Sequence, residues 1–60
     1  MRFFKIFLAD ECLAEIHYDS AVQMIREMLG VENLDKVLYK LSEGDTVNLR
    51  NRWTIQEKLK

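Results

Sequence analysis

No proline interrupts this 60-residue sequence, and it holds only two glycines, one cysteine and one histidine. Because Cys12 is alone, the chain cannot form an internal disulfide. Because His17 is alone and no Cys/His cluster has ligand spacing, we expect no metal site. The two glycines leave little material for a loop that cradles phosphate, so we also expect no cofactor. The devices that usually stabilise a very small domain are therefore missing, and oligomerisation remains as the substitute.

Long apolar runs and a surplus of one charge are absent as well. Nothing approaches the ~20 apolar residues of a membrane span, and Lys5 with Asp10-Glu11 breaks up the N-terminal segment that would otherwise resemble a targeting signal. A lone thiol suits a reducing compartment, so we expect a cytoplasmic protein. The net charge of -1 argues against general nucleic-acid binding. The hydrophobic content of 48% indicates one folded domain over residues 1–60.

Charge is nevertheless unevenly distributed along the chain. The segment 50–60 carries four basic residues against one acidic residue, with Lys58 and Lys60 at its end. The segment 10–35 carries seven acidic residues against Arg26 alone. These patterns predict a locally basic C-terminal end and an acidic middle.

The N-terminal segment RFFKIFLADECLAEIH predicts a β-hairpin. A three-residue loop at Ala9-Asp10-Glu11 sorts the side chains best, because it places Lys5 opposite Glu15, where opposite charges stabilise the pair by ~0.2–1 kcal/mol. One face then becomes almost wholly apolar. The predicted pairs on it are Arg2–Tyr18, Phe4–Ile16, Ile6–Ala14 and Leu8–Cys12, and those on the other face are Phe3–His17, Lys5–Glu15 and Phe7–Leu13.

Two helices follow in the predicted order. The first covers residues 20–29, is capped by Asp19 or Ser20 and ends at Gly30. Its apolar residues recur at helical spacing: Ala21, Val22, Ile25, Met28 and Leu29. The second covers residues 34–41 and begins after Asn33, because Leu34, Val37, Leu38 and Leu41 follow the same period. A strand over residues 36–41 is the alternative.

The C-terminal part predicts a turn at residues 42–45 and a second hairpin. With Arg50-Asn51-Arg52 as its loop, Val47 pairs with Ile55 and Leu49 pairs with Trp53. The expected fold is α+β with the order β-β-α-α-β-β, in which two hairpins form one antiparallel sheet and one or two helices cover one face.

This fold leaves an apolar patch without cover. The helices need the sheet face that carries Phe4, Ile6 and Leu8 with the apolar residues of the second hairpin, so Phe3, Phe7 and Leu13 lie on the opposite face. Such a patch is typical of a binding surface. We therefore predict an interface, with a second copy or another protein, formed by Phe3, Phe7, Leu13, Lys5, Glu15 and His17. Cover by a helix or by the C-terminal tail is the alternative.

Three residues of the second hairpin tip form another candidate site. The guanidinium groups of Arg50 and Arg52 have the geometry to bind phosphate or carboxylate, and Trp53 could stack on a base. We predict an anion or nucleotide site here as the minor alternative to a solvated turn with Trp53 in the core.

Evidence for catalysis is weak. His17 is followed by Tyr18, Asp19 and Ser20, but neighbours in a chain do not form an acid–base pair and no nucleophile accompanies them. We therefore expect no enzyme. Met24 and Met28 lie at helical spacing beside apolar residues, so we expect them to pack in the core. Cys12 is expected in the core as a small apolar residue, because the predicted register places it on the core face next to Leu8.

The tail LSEGDTVNLRNRWTIQEKL resembles the end of small uncharacterised bacteriophage and prophage proteins, in which a glycine turn leads into two short strands. The resemblance implies no catalytic residues. It implies a non-enzymatic protein that binds and blocks a host factor, such as a component of antiviral defence. The expected function is thus a homo-oligomeric binding protein that blocks a partner protein. The alternatives are a nucleotide-sequestering protein that uses Arg50, Arg52 and Trp53 and, more weakly, a nucleic-acid-binding regulator.

Overall fold

The computed structural model describes residues 2–58, which form one four-stranded antiparallel sheet and two helices. The strands are β1 (Phe3–Leu8), β2 (Glu11–His17), β3 (Thr46–Arg50) and β4 (Trp53–Lys58), and the helices are α1 (Tyr18–Leu29) and α2 (Leu34–Ser42). A 3₁₀ turn, Val31–Asn33, links the helices. The predicted α+β class and the order β-β-α-α-β-β are confirmed.

The sheet has the order β2-β1-β4-β3, so the first and last strands are neighbours at its centre. Ile6 of β1 pairs with Ile55 of β4, and Ile55 pairs with Val47 of β3. Both helices lie on this face of the sheet. Its apolar side chains and those of the helices form the core, whose buried members are Phe4, Ile6, Ala21, Ile25, Val37, Leu41, Leu49 and Ile55.

The two helices follow the predicted spacing. Helix α1 begins two residues earlier than predicted, at Tyr18, so Asp19 and Ser20 lie inside the helix and neither is its N-cap. It ends at Gly30, whose φ of 92° and ψ of 150° are accessible only to glycine. Helix α2 confirms the helix predicted over residues 34–41, and the alternative strand over residues 36–41 is wrong. Asn33 is the N-cap residue of α2, but its side chain forms no capping bond there and instead donates to the Leu29 carbonyl at 2.7 Å.

The first hairpin turns more tightly than predicted. Phe3, Phe4, Lys5 and Ile6 have the predicted partners on β2, but the register shifts beyond Ile6. The turn is the two residues Ala9 and Asp10, both with positive φ. Leu13 forms a β-bulge on β2. This extra residue makes up for the turn being one residue shorter than predicted, so Ile6 keeps its predicted partner. The predicted pairs Leu8–Cys12 and Phe7–Leu13 are therefore wrong, and so is the three-residue loop.

The bulge also removes Cys12 from its predicted position. Cys12 pairs with Phe7 and not with Leu8, which transfers it to the face that the helices leave uncovered. It is exposed, so its prediction as a core residue is wrong. Ala14 keeps its predicted partner Ile6 but is also exposed, because β2 is an edge strand and only its Ile16 packs against the core.

The second hairpin repeats this construction. Val47 pairs with Ile55 as predicted, whereas Leu49 has no partner and forms a bulge, and Arg50 pairs with Trp53. The turn is Asn51-Arg52, so the predicted loop that began at Arg50 and the predicted pair Leu49–Trp53 are wrong. Leu49 is nevertheless buried in the core, as its apolar character predicts.

Within residues 2–58, neither helix has the length and apolar content needed to cross a bilayer.

The first turn offers a test of backbone strain. Ala9 has a φ of 50°, a left-handed conformation that an L-residue adopts at a cost of roughly 1–2 kcal/mol. Because glycine lacks this cost but loses more entropy on folding, we expect Ala9→Gly to raise the free energy of unfolding by about 0.5–1 kcal/mol. Urea denaturation measures the change. Ala14→Gly, in an extended strand, is the control and should lower stability; a less stable Ala9→Gly protein would contradict the assignment.

Candidate functional site

The face of the sheet opposite the helices is the candidate site, and we call it the open face. Paired residues of neighbouring strands place their side chains on the same face. The side chains that share the face of Lys5 are therefore identified by the pairing. They are Phe3, Lys5 and Phe7 of β1, Cys12, Glu15 and His17 of β2, Thr54, Gln56 and Lys58 of β4, and Thr46 and Asn48 of β3.

Apolar area on the open face is confined to the first hairpin. Phe3 and Phe7 are half-buried between their strand neighbours, and neither belongs to the core or packs against it. Leu13, at the bulge, is 48% exposed. The β3 and β4 half of the face carries threonine, asparagine and glutamine instead. The uncovered patch predicted from the sequence thus lies on one half of the face, and among residues 2–58 no helix covers it.

The charged groups on the open face are arranged around Lys5 and Glu15, which are directly opposite each other as predicted. The Glu15 carboxylate, however, contacts the Lys58 ammonium at 3.3 Å, across β1. Within residues 2–58 Lys5 forms no ion pair. At one end of the hairpin the Phe3 and His17 rings lie 4.8 Å apart between centroids. All six predicted interface residues therefore belong to the first hairpin.

The predicted anion site lies at the other end of the molecule, where the tips of both hairpins meet. The Ala9 N–H donates to the Arg52 carbonyl at 3.2 Å, which joins the two turns. Arg50 and Arg52 are exposed, and among the described residues neither forms an ion pair. Trp53 is half-buried and packs against the core, so the ring that was to stack on a ligand is partly engaged elsewhere.

A shallow groove runs between these tips. It is about 510 Å³ in volume and is lined by Ala9, Asp10, Asn48, Asn51, Arg52 and Thr54. The Asn48 amide donates to the Asn51 carbonyl at 3.1 Å and fixes the second turn. Asp10 places a carboxylate on the same groove as Arg52, which opposes the binding of an anion there. Lys60, predicted to add to the basic end, lies outside the described residues.

Side chains with catalytic chemistry are dispersed. Cys12 and His17 are both exposed and lie at different levels of β2. The acidic residues Asp10, Glu11 and Glu15 occupy the turn and the edge strand, and Asp19 lies in α1. Among residues 2–58 no three His, Cys, Asp or Glu side chains come together in a way that could hold a metal ion.

An ion pair between the two ends of the described chain was not predicted from the sequence. Glu57 lies on the helix-covered face beside Phe4 and is 9% exposed. The Arg2 guanidinium donates to both of its carboxylate oxygens, each at 2.8 Å. This bidentate bond raises the pKa of Arg2.

Arg2 also packs between aromatic rings. Its guanidinium carbon lies 5.3 Å from the Phe4 ring centroid and 5.1 Å from that of Tyr18, distances that favour a cation–π contact. Arg2 thus closes the core at the junction of β1, β4 and α1. The signal in the sequence was the charge at position 57, two residues beyond Ile55 and therefore on the apolar face of its strand.

Comparison of the chain with protein-family models, with curated proteins and with solved structures finds no significant match.

The Arg2–Glu57 pair predicts a specific pattern of stability. We expect Arg2→Met to lower the free energy of unfolding by about 1–3 kcal/mol, because it leaves the buried Glu57 carboxylate without a donor. The double variant Arg2→Met/Glu57→Met should recover most of the loss, since both polar groups are then gone. Urea denaturation of the wild type, both single variants and the double variant measures the coupling. Additive losses would show that the pair does not stabilise the core.

Proposed function

We propose that this chain is a non-enzymatic binding protein that attaches to a protein surface through its open face and blocks that surface. The observation that carries the proposal is the pair Phe3 and Phe7 on a sheet face that no helix of residues 2–58 covers, together with the exposed Leu13 at the bulge of the same hairpin. Full burial of such side chains contributes ~1.5–3 kcal/mol each before the cost of association. Phe3 and Phe7 are already half-buried, so a contact gains only the remaining part of this energy. That part is still comparable with the few kcal/mol of stability of a domain this small.

The size of the chain supports association in a second way. A domain of this length buries only about 60% of the surface that its unfolded chain exposes. The core lies between one sheet face and the two helices. Cover of the open face by another molecule therefore adds apolar burial that residues 2–58 do not provide. A second copy and a partner protein are the two possible occupants.

The resemblance of the tail to bacteriophage and prophage proteins suggests the biological setting. A small protein that only binds is suited to blocking a host factor, because occupation of a surface requires an interface and no catalytic groups. We therefore propose a host component, such as a protein of antiviral defence, as the blocked partner.

Substitution of Phe7 tests the proposal directly. We expect Phe7→Asp to abolish binding of the partner protein captured from bacterial lysate by the wild type, because a carboxylate in the middle of the contact would be buried without a partner. Leu13→Asp, at an already exposed position, should have the same effect with less disturbance of the fold. Affinity capture followed by mass spectrometry is the measurement.

Tyr39→Asp is the matched control for both variants. Tyr39 is an aromatic residue of α2 that is 67% exposed on the opposite side of the molecule, so this substitution should leave capture unchanged. Circular dichroism confirms that all three variants are folded. Equal capture by the wild type and by folded Phe7→Asp and Leu13→Asp proteins would refute the open face as the binding surface.

A second candidate function rests on the hairpin tips. Exposed Arg50 and Arg52 beside a polar groove have the chemistry to bind a phosphorylated small molecule, which the chain would then sequester. The Asp10 carboxylate on that groove and the packing of Trp53 against the core count against it, so we rank it below protein binding.

A thermal-shift screen with nucleotides tests this second candidate. A nucleotide present at 100 times its dissociation constant should stabilise the folded chain by ~2.7 kcal/mol. The shift should be lost in the variant Arg50→Gln/Arg52→Gln and kept in Lys36→Gln/Lys40→Gln, which removes two positive charges from α2. If no nucleotide tested shifts the melting temperature, the hypothesis of nucleotide sequestration is wrong.

A further inference from the structure

We propose that the occupant of the open face is a second copy of this chain, related to the first by a two-fold axis that runs parallel to the strands between β1 and β2. The inference rests on the proposed function in taking the open face as a contact surface. The two are compatible because the dimer is reversible, so that the monomer presents its open face to the partner protein and the dimer covers that face when no partner is bound. It adds the identity of the occupant, the symmetry of the pair and the residues that select it. In this arrangement each Lys5 meets Glu15 of the second copy.

The distribution of apolar side chains fixes the centre of the contact. Phe3, Phe7 and Leu13 belong to the first hairpin, and polar side chains cover the half formed by β3 and β4. An interface buries its apolar residues at the centre and leaves polar residues at the rim. The centre therefore lies over β1 and β2, and the β3 and β4 half forms the rim.

The charges at that centre then choose between two symmetric arrangements. A two-fold axis perpendicular to the strands at the level of Lys5 would place Lys5 against Lys5 and Glu15 against Glu15, which costs free energy on association. An axis parallel to the strands exchanges β1 with β2 across the contact. Lys5 then lies over Glu15 of the second copy, and the same pair forms again by symmetry.

The remaining contacts follow from the same operation. Phe3 lies over His17 of the second copy, and Phe7 lies over Cys12 of the second copy, because each residue meets the strand partner that its own chain pairs it with. Lys5, which forms no ion pair within residues 2–58, gains a carboxylate. Two sheets packed this way have aligned strands, as in β-sandwiches.

The size of the contact predicts its strength. The overlap covers two strands of six and seven residues, which places it among small interfaces that bury less than about 1,200 Å². We therefore expect a reversible equilibrium between monomer and dimer that shifts with protein concentration, and not a permanent assembly.

Charge reversal provides the test. We expect Lys5→Glu and Glu15→Lys each to weaken dimerisation of the full chain by at least about tenfold, because each change turns both symmetric pairs repulsive. An equimolar mixture of the two variants should dimerise again, since every carboxylate at position 5 or 15 then faces an ammonium group of the other chain. Sedimentation equilibrium over a range of concentrations measures the mass.

The mixture separates contact between chains from effects within one chain. Positions 5 and 15 are also opposite each other within the hairpin, so each single variant places like charges together there. Mixing cannot repair that internal repulsion, and a regained dimer must come from pairing between chains. Lys36→Glu, a reversal on the exposed side of α2, is the control and should dimerise like the wild type.

Three results would overturn the inference: a wild-type chain that stays monomeric at millimolar concentration, single variants that dimerise normally, or a mixture that stays monomeric. These results leave the proposed function separately testable. If the wild type is monomeric but Phe7→Asp still abolishes capture of the partner protein, the partner and not a second copy occupies the open face.

Discussion

The pairing of β1 with β4 holds this small fold together. It joins the two ends of the described chain at the centre of the sheet and places Phe4 and Ile6 beside Glu57 and Ile55, under the helices. Each hairpin alone is a two-stranded ribbon of marginal stability, and the central pairing combines them into a sheet broad enough for two helices. The Arg2–Glu57 ion pair joins the same two strands at the end of the sheet away from the hairpin turns.

The division of the sheet into two faces follows from that constraint. Only two short helices connect the hairpins, and both lie on the face that carries Phe4, Ile6 and Ile55. Nothing in residues 2–58 is left to cover the other face. Phe3 and Phe7, which alternate with Phe4 along β1, are thus left half-buried without a helix above them. The same strand supplies both the core and the candidate contact surface.

Periodicity was sufficient to predict the helices, the strands and the class of the fold. The pairing of Lys5 with Glu15 follows from opposite charges and apolar sorting, and it predicts which side chains of the first hairpin share the open face. The turns could not be predicted in this way. A three-residue loop and a two-residue turn with one bulge use the same number of residues, so they give identical pairs away from the tip. They differ only beside the tips, at Glu11, Cys12 and Leu13 in the first hairpin and at Leu49 and Arg50 in the second. The Arg2–Glu57 pair was missed for another reason: it depends on strand order, which local patterns do not encode.

The central position of β4 also has a consequence for the order of folding. Residues 53–58 are the last of the described chain to leave the ribosome, yet they are neighbours of residues 3–8 in the finished sheet. Local hydrogen bonds allow the first hairpin and the helices to form early, whereas the contacts between β1 and β4 require closure of a loop that spans most of the chain. Until then β1 has one unpaired edge and Phe4 and Ile6 lack half of their cover. The chain is therefore most prone to aggregate before β4 has paired with β1.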